Sequence, residues 1–193
     1  MTNSVSNVVN AKPLVTGGVL VAPVGSTLPT DEAAALNAAF KAVGYATDDG
    51  VTRSDKIDSD TKYAWGGDTL KVLFKSRTFT AQLGLAEYLN PLTQQVIYGA
   101  AAVSVTAATS ASGAKMAIAG SATPPPNNAW VIEIVSGVAK IRVVFPNAQI
   151  SDLDDVSYKD DDISSRGITL TLFPDASGSY FYEYTNDGVK SGS

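Results

Sequence analysis

The sequence has no cysteine and no histidine among its 193 residues. Without cysteine no disulfide framework exists, and without either residue type the usual zinc and iron ligand sets are missing. Catalysis by a nucleophile paired with histidine, and acid–base chemistry by imidazole, are excluded for the same reason. Carboxylates, lysine, tyrosine, serine and threonine remain for chemistry. We therefore predict no enzyme, no cofactor and no metal.

Basic residues and long apolar runs are also scarce. The 14 lysines and arginines are scattered and are outnumbered by 19 acidic residues, which gives a net charge of −5. Proteins grip nucleic acid mainly by neutralising phosphates, so tight DNA binding is not expected, although a protein that DNA slides past stays open. No apolar run approaches the ~18 residues needed to span a bilayer. The N-terminus lacks the basic and apolar regions of a secretory signal, so we expect a chain that is used in a cytoplasm or released by lysis.

The apolar pattern that is present predicts an all-β domain of roughly eight strands with short helices, as a sandwich or barrel. One strand is predicted at Val19–Val24, and two strands are predicted between residues 68 and 85, where the second alternates apolar and polar residues. Two further strands are predicted around a tight turn at Ser136 and Gly137. A last hairpin is predicted around residues 176–178.

Two short helices are predicted between the strands. Residues 30–44 are rich in alanine, begin with a potential cap at Thr30 and end in glycine. The second helix is predicted to follow a cap at Asn90, to begin at Pro91 and to stop at Gly99.

Two acidic regions, at residues 48–60 and 152–162, allow other interpretations. The first contains Asp48, Asp49, Asp55, Asp58 and Asp60, and the second contains Asp152, Asp154, Asp155, Asp160, Asp161 and Asp162. Neither region has the spaced aspartates and distant glutamate of a calcium loop, so a solvated acidic surface is the stronger interpretation. A glycosidase pair would have to come from Glu32, Glu87, Glu133 and Glu183, with few aromatic residues to hold a sugar. Trp65 and Trp130 are predicted to pack in the core or in an interface.

Several motifs resemble one known family. They are "TGGVLVAPVGSTLPT", "VGYATDDGVTRS", "AWGGDTLKVL", "QQVIYG", "FPNAQISDLDDVSY" and "GITLTLFPDASG". In this order, and over most of residues 16–178, they are similar to motifs of the major tail proteins of long-tailed, non-contractile phages, particularly those that infect actinobacteria. The resemblance implies a β-sandwich or barrel with a flanking helix, whose sheets join between subunits into rings of six. It also implies that the rings stack into the tube that carries DNA into the host.

The resemblance also implies a division of the chain. Residues 1–16 would be an N-terminal arm, residues 17–186 the tail-tube β domain, and residues 187–193 a flexible tail. The polar stretch at 48–64 is too long for an idle connection, so we expect it to be a loop that joins adjacent rings. Its charged residues are Asp48, Asp49, Arg53, Asp55, Lys56, Asp58, Asp60 and Lys62.

The same resemblance also implies the binding partners and the location of the protein. The chain would bind copies of itself and the tape measure, tail terminator and distal tail proteins, in a virion that is assembled in the host cytoplasm. DNA would pass through the lumen without specific binding, and some of the aspartates are expected to line that lumen. The alternative is a β-sandwich binding or decoration module of a virion or cell surface, with an ordered segment at 48–64 and an aromatic-rich face.

Overall fold

The computed structural model describes residues 8–14 and 18–189. Most of this part of the chain lies in strands, which confirms the all-β prediction. The strands are β1 Lys12–Pro13, β2 Val19–Pro23, β3 Lys41–Ala42, β4 Ala46–Tyr63, β5 Thr69–Leu85, β6 Val103–Thr106, β7 Lys115–Ile118, β8 Asn128–Ser136, β9 Ala139–Leu153, β10 Arg166–Leu172 and β11 Tyr182–Asn186. One α-helix, α1, spans Pro91–Tyr98 and is followed by a 3-10 turn at Ala100–Ala102.

One antiparallel sheet forms the body, in the order β3-β2-β8-β9-β10-β5-β4. The two end strands, β3 and β4, are consecutive in the chain, so the short segment between them crosses from one end of the sheet to the other. Along this seam the Val43 amide donates to the Val19 carbonyl at 3.1 Å, and the Ala86 amide donates to the Tyr45 carbonyl at 2.9 Å. The sheet is therefore curled into an almost closed barrel. Strands β6 and β7 form a separate two-stranded sheet.

The core fills the inside of this barrel. Trp130, Phe145, Leu85 and Leu170 are among its largest side chains and are almost fully buried. Because side chains alternate along a strand, β8 and β9 also present apolar residues to the outside. There Val131 and Val144 belong to a second, smaller cluster that is covered by residues 28–40.

The helix α1 closes the barrel over the seam, and its prediction is confirmed. The Asn90 side chain accepts a hydrogen bond from the Leu92 amide at 3.0 Å, and Pro91 occupies the first helical position. Gly99 ends the helix with a φ of 86°, a conformation that favours glycine. Thr93 is buried and its hydroxyl donates to the Val43 carbonyl at 2.7 Å.

The predicted helix at residues 30–44 is wrong. Turns and bends occupy residues 30–39, and β3 follows. The capping signal is real, because the Asp31 carboxylate accepts bonds from the amides of Ala33 and Ala34. However, Arg142 donates to the Asp31 and Ala34 carbonyls at 2.7 and 2.8 Å, which holds the segment flat against the sheet instead of in helical turns.

Three predictions about strands also need correction. Residues 69–85 form a single strand, β5, rather than two. The predicted pair around Ser136 and Gly137 is confirmed as β8 and β9, but Ser136 pairs with Ala139, so the turn lies one residue later. The predicted last hairpin is wrong: β10 and β11 do not pair with each other but follow one another along the same edge of β9.

Candidate assembly surface

The segment predicted as a loop is one arm of a long hairpin. Strand β4 pairs with β5 from Ala46 to Tyr63, and the hairpin turns over residues 64–68. On its other side β5 pairs with β10 only from Thr80 to Leu85. Beyond that point, within the described residues, the hairpin pairs with no other strand and projects from the barrel.

The two faces of this projecting hairpin follow from its register. Asp55 lies opposite Phe79 and Ile57 lies opposite Arg77, so these side chains share the face that continues the core. The register shifts between Asp58 and Ser59, and the extra residue on β5 is Lys75. This bulge returns Phe74 to the core-side face, opposite Ser59.

The core-side face of the hairpin is apolar and exposed. We call it the apolar hairpin face; it consists of Ile57, Tyr63, Leu70, Val72 and Phe74. Their exposed fractions lie between 58 and 67%. A two-stranded hairpin is only marginally stable by itself in water, and contiguous exposed apolar side chains mark interaction sites. This face can therefore bury apolar area against another protein surface.

The predicted charged residues divide between the two faces and the base of the hairpin. By the same alternation, Lys56, Asp58, Asp60 and Lys62 lie on the opposite, polar face, where Lys62 pairs with Asp60 at 2.6 Å. This exposed pair stabilises the hairpin only weakly. Their assembly role stays a prediction.

Arg53 and Asp55 lie instead on the core side, at the base of the hairpin. Arg53 pairs with Glu183 of β11 at 2.8 Å and lies over the Phe181 ring at 3.9 Å. Arg77 binds the Asp55 carboxylate through two nitrogens, which lowers the pKa of Asp55 and raises the pKa of Arg77. The Arg53 contacts thus join the base of the hairpin to β11, whereas the Arg77–Asp55 pair joins the two strands of the hairpin to each other.

Asp48 and Asp49 are in neither face. They lie in an irregular stretch of β4, where the register shifts between Ala46 and Val51. Asp49 lines a polar hollow of about 390 Å³ together with Asp154. No group of three potential metal ligands occurs in the part of the chain that the structure describes.

The two tryptophans have different environments. Trp130 is buried in the centre of the core, whereas Trp65 is fully exposed at the turn of the hairpin. Trp65 thus lies outside the core, and an interface role for it stays a prediction. Of the four glutamates, Glu133 is paired with buried Arg142, and Glu183 is paired with Arg53.

Comparison with known proteins identifies the family of the chain. The phage tail tube protein family matches residues 1–191. The chain belongs to the phage tail tube protein family. A tail tube protein is a structural component of a virion, and its family is not a known enzyme family. A search of curated proteins finds no match.

Solved structures resemble the tail tube chain at low identity. The cryo-EM structure of the anti-feeding prophage cap, a tube terminating cap, is 12% identical, covers 96% of this chain and 100% of that chain, and gives a TM-score of 0.38. The sheath/tube terminator of an extracellular contractile injection system, PVC, in its extended state, is 10% identical, covers 89% of this chain and 96% of that chain, and gives a TM-score of 0.35. Among the described residues of the tail tube chain, no helix has the length and apolarity to cross a membrane.

Sequence reasoning missed the apolar hairpin face. Leu70, Val72 and Phe74 do alternate with polar residues in part, but Leu73 lies between two of them and the bulge at Lys75 breaks the period. On β4 the apolar residues are too sparse to show a period of two. The signal that was available is the spacing of Leu70, Val72 and Phe74 next to the "WGG" turn.

Proposed function

We propose that this chain builds the tail tube of a long-tailed, non-contractile phage. Six copies form a ring, rings stack into a tube, and DNA passes through the tube into the host. The apolar hairpin face is the observation that carries this proposal. An apolar sheet face on a projecting hairpin is costly to a soluble monomer, and burial against a neighbouring copy removes that cost.

The strand edges of the hairpin support the same proposal. Among the described residues, β4 pairs only with β5 from Val51 to Tyr63, and β5 pairs only with β4 from Thr69 to Phe79. Both edges therefore present unpaired backbone groups to which strands of another copy can bind. Joining strands between copies continues the sheet around a ring, as in a barrel that is closed by several chains.

The alternative is a monomeric binding or decoration module. An ordered segment at 48–64 was expected of such a module, and this segment is indeed a strand. Three exposed aromatic side chains, Tyr63, Trp65 and Phe74, also lie on this hairpin. The free strand edges, however, lie on the same hairpin as the apolar face. This combination favours self-association over the binding of a small ligand or a cell-surface receptor.

Other tail proteins are the remaining proposed partners. The ends of a tube built from identical rings present the same surfaces that join ring to ring, so the distal tail and tail terminator proteins would bind there. The tape measure protein would occupy the lumen before DNA does. In this proposal the tube is assembled in the cytoplasm of the host.

Electron microscopy of the concentrated protein tests the proposal, with two matched variants. Val72→Asp places a carboxylate on the apolar hairpin face, and Leu73→Asp places the same group on the opposite face one residue later. We expect rings or hollow rods from the unsubstituted protein and from Leu73→Asp, and monomers from Val72→Asp. All three should give the same circular dichroism spectrum, because neither position is in the core.

Two results would count against the proposal. One is rods of Val72→Asp that are as abundant as those of the unsubstituted protein. The other is monomers from the unsubstituted protein at every concentration, also after addition of a distal tail protein as a nucleus.

A further inference from the structure

The outer surface of the barrel has two halves that differ in cover. Over β2, β8 and the first half of β9, residues 28–40 lie on the sheet and bury Val131 and Val144. Over β4, β5, β10 and the second half of β9, no described segment forms such a layer, and the outward side chains are at least partly accessible. The barrel therefore has one covered side and one bare sheet face.

The bare face carries hydroxyl and amide groups. We call it the hydroxyl face; its central residues are Thr52, Thr80, Gln82, Ser151, Thr169 and Thr171. They are neighbours across four strands, since Gln82 lies opposite both Thr52 and Thr169, and Thr80 lies opposite Thr171. Gln82 donates to the Thr169 hydroxyl at 3.4 Å, and the Thr171 hydroxyl donates to Ser151 at 2.8 Å.

Carboxylates share this face with the hydroxyl and amide groups. Asp152 lies directly opposite Thr169 in the pairing of β9 with β10. Asp49 and Asp154 line one hollow together with Thr52 and Gln82. Lys56 and Asp58 come next along the polar face of the hairpin. Because serine, threonine and glutamine carry no charge, the charge at the centre of the face comes from carboxylates.

A hydrated surface without cations at its centre suits a polyanion that must move. Affinity for DNA comes mainly from cations that replace the counterions of the phosphates, and the central residues of the hydroxyl face include no such cation. Their hydroxyl groups can instead hold water, which leaves no strong attraction along the wall. The carboxylates that lie among them repel phosphates, which keeps a moving polyanion from sticking.

We infer that the hydroxyl face is the wall of the tube lumen and that duplex DNA is the partner that moves along it. This inference rests on the proposed function. It assigns the lumen to β4, β5, β10 and the second half of β9, and it assigns residues 28–40 to the outside. Of the aspartates expected to line the lumen, it selects Asp49, Asp152 and Asp154.

The absence of cysteine allows a direct test in assembled tubes. Thr169→Cys places a thiol on the hydroxyl face, and Ala35→Cys places one on the exposed side of the segment that covers the other half. Each variant is treated, as tubes, with a small maleimide and with a maleimide attached to a globular carrier protein too wide to enter the lumen. Mass spectrometry then gives the labelled fraction of subunits.

We expect the small reagent to label both variants, and the carrier reagent to label Ala35→Cys almost completely but Thr169→Cys only at tube ends. Complete labelling of Thr169→Cys by the carrier would place the hydroxyl face outside and overturn the inference. Failure of both reagents on Thr169→Cys would place it in a subunit interface, with the same consequence. Micrographs of the same samples separate this inference from the proposed function. If tubes form but the labelling is not as expected, only the assignment of the lumen wall is contradicted. If neither the variants nor the unsubstituted protein form tubes, the proposed function is contradicted as well. If Thr169→Cys alone fails to assemble, Ser151→Cys takes its place.

Discussion

The loss of Arg142 should strongly destabilise the fold of the subunit. Its side chain is buried on the outer face of β9, where it pairs with Glu133 at 2.6 Å. It also donates to the carbonyls of Asp31 and Ala34. Arg142→Met keeps a long apolar side chain at this position. However, the largely buried Glu133 carboxylate and the carbonyls of Asp31 and Ala34 lose their hydrogen-bond donor.

The expected loss follows from these contacts. Removal of one partner of a buried ion pair costs about 3–5 kcal/mol, because the other charge stays buried. In a domain of this size such a loss lowers the melting temperature by about 2–4 °C per kcal/mol, which gives roughly 10 °C. Thermal and urea unfolding, followed by circular dichroism, measure the change. Hydrogen exchange should also rise in residues 31–40, which Arg142 holds in place.

Two comparisons make this prediction refutable. Lys140 is exposed two residues earlier on the same face of β9, so Lys140→Met should change stability little. Replacement of both partners, as Arg142→Met with Glu133→Gln, should recover part of the loss. A decrease below about 1 kcal/mol for Arg142→Met alone would refute the assignment of Arg142 as the anchor of residues 28–40.

Two further predictions concern the turn after β10 and the seam. Tyr182 and Ser177 lower the pKa of Asp175 from 3.8 to about 2, so its stabilising effect is present above pH 3.8 and is lost as the pH falls through 2. Asp175→Asn should therefore melt lower than the unsubstituted protein at neutral pH, and this difference should shrink as the pH falls towards 2 and vanish below it; a constant difference would contradict this. Gly44→Ala should lower the free energy of unfolding, measured in urea, by about 2 kcal/mol more than Gly25→Ala does. Both glycines have positive φ, but a Cβ on Gly44 would lie 2.3 Å from the Glu87 carboxyl carbon, whereas Gly25 faces open space; equal losses would contradict that account.

Local signals predicted the parts of the fold that depend on local contacts. The cap at Asn90, the first-turn proline and the terminal Gly99 all act within a few residues of α1, and the structure has the helix at that place. Likewise, Phe79, Ala81 and Leu83 alternate because only one side of β5 faces the core.

Distant contacts decided the parts that sequence reasoning missed. Residues 30–39 have the composition of a helix, but their carbonyls bind Arg142, more than a hundred positions away. Strand β4 has no apolar period because both of its faces are exposed in the free subunit over most of its length. A polar strand of this kind looks like a loop until its partner strand is known. The pairing of β11 with β9 instead of β10 is also a tertiary choice that turn residues do not encode.

The almost closed barrel has a consequence for how the chain folds. Two hairpins, β4–β5 and β8–β9, consist of neighbours in the sequence, so each can form early from local contacts. Strand β10 is distant from β5 in the chain yet pairs with β5 on one side and β9 on the other. It joins the two hairpins on one side of the barrel, and we expect this long-range pairing to form late, because loop closure slows it. We then expect the β4–β5 hairpin, which carries the apolar surface, to form before the body that it projects from, so that a nascent subunit exposes this surface before it has finished folding.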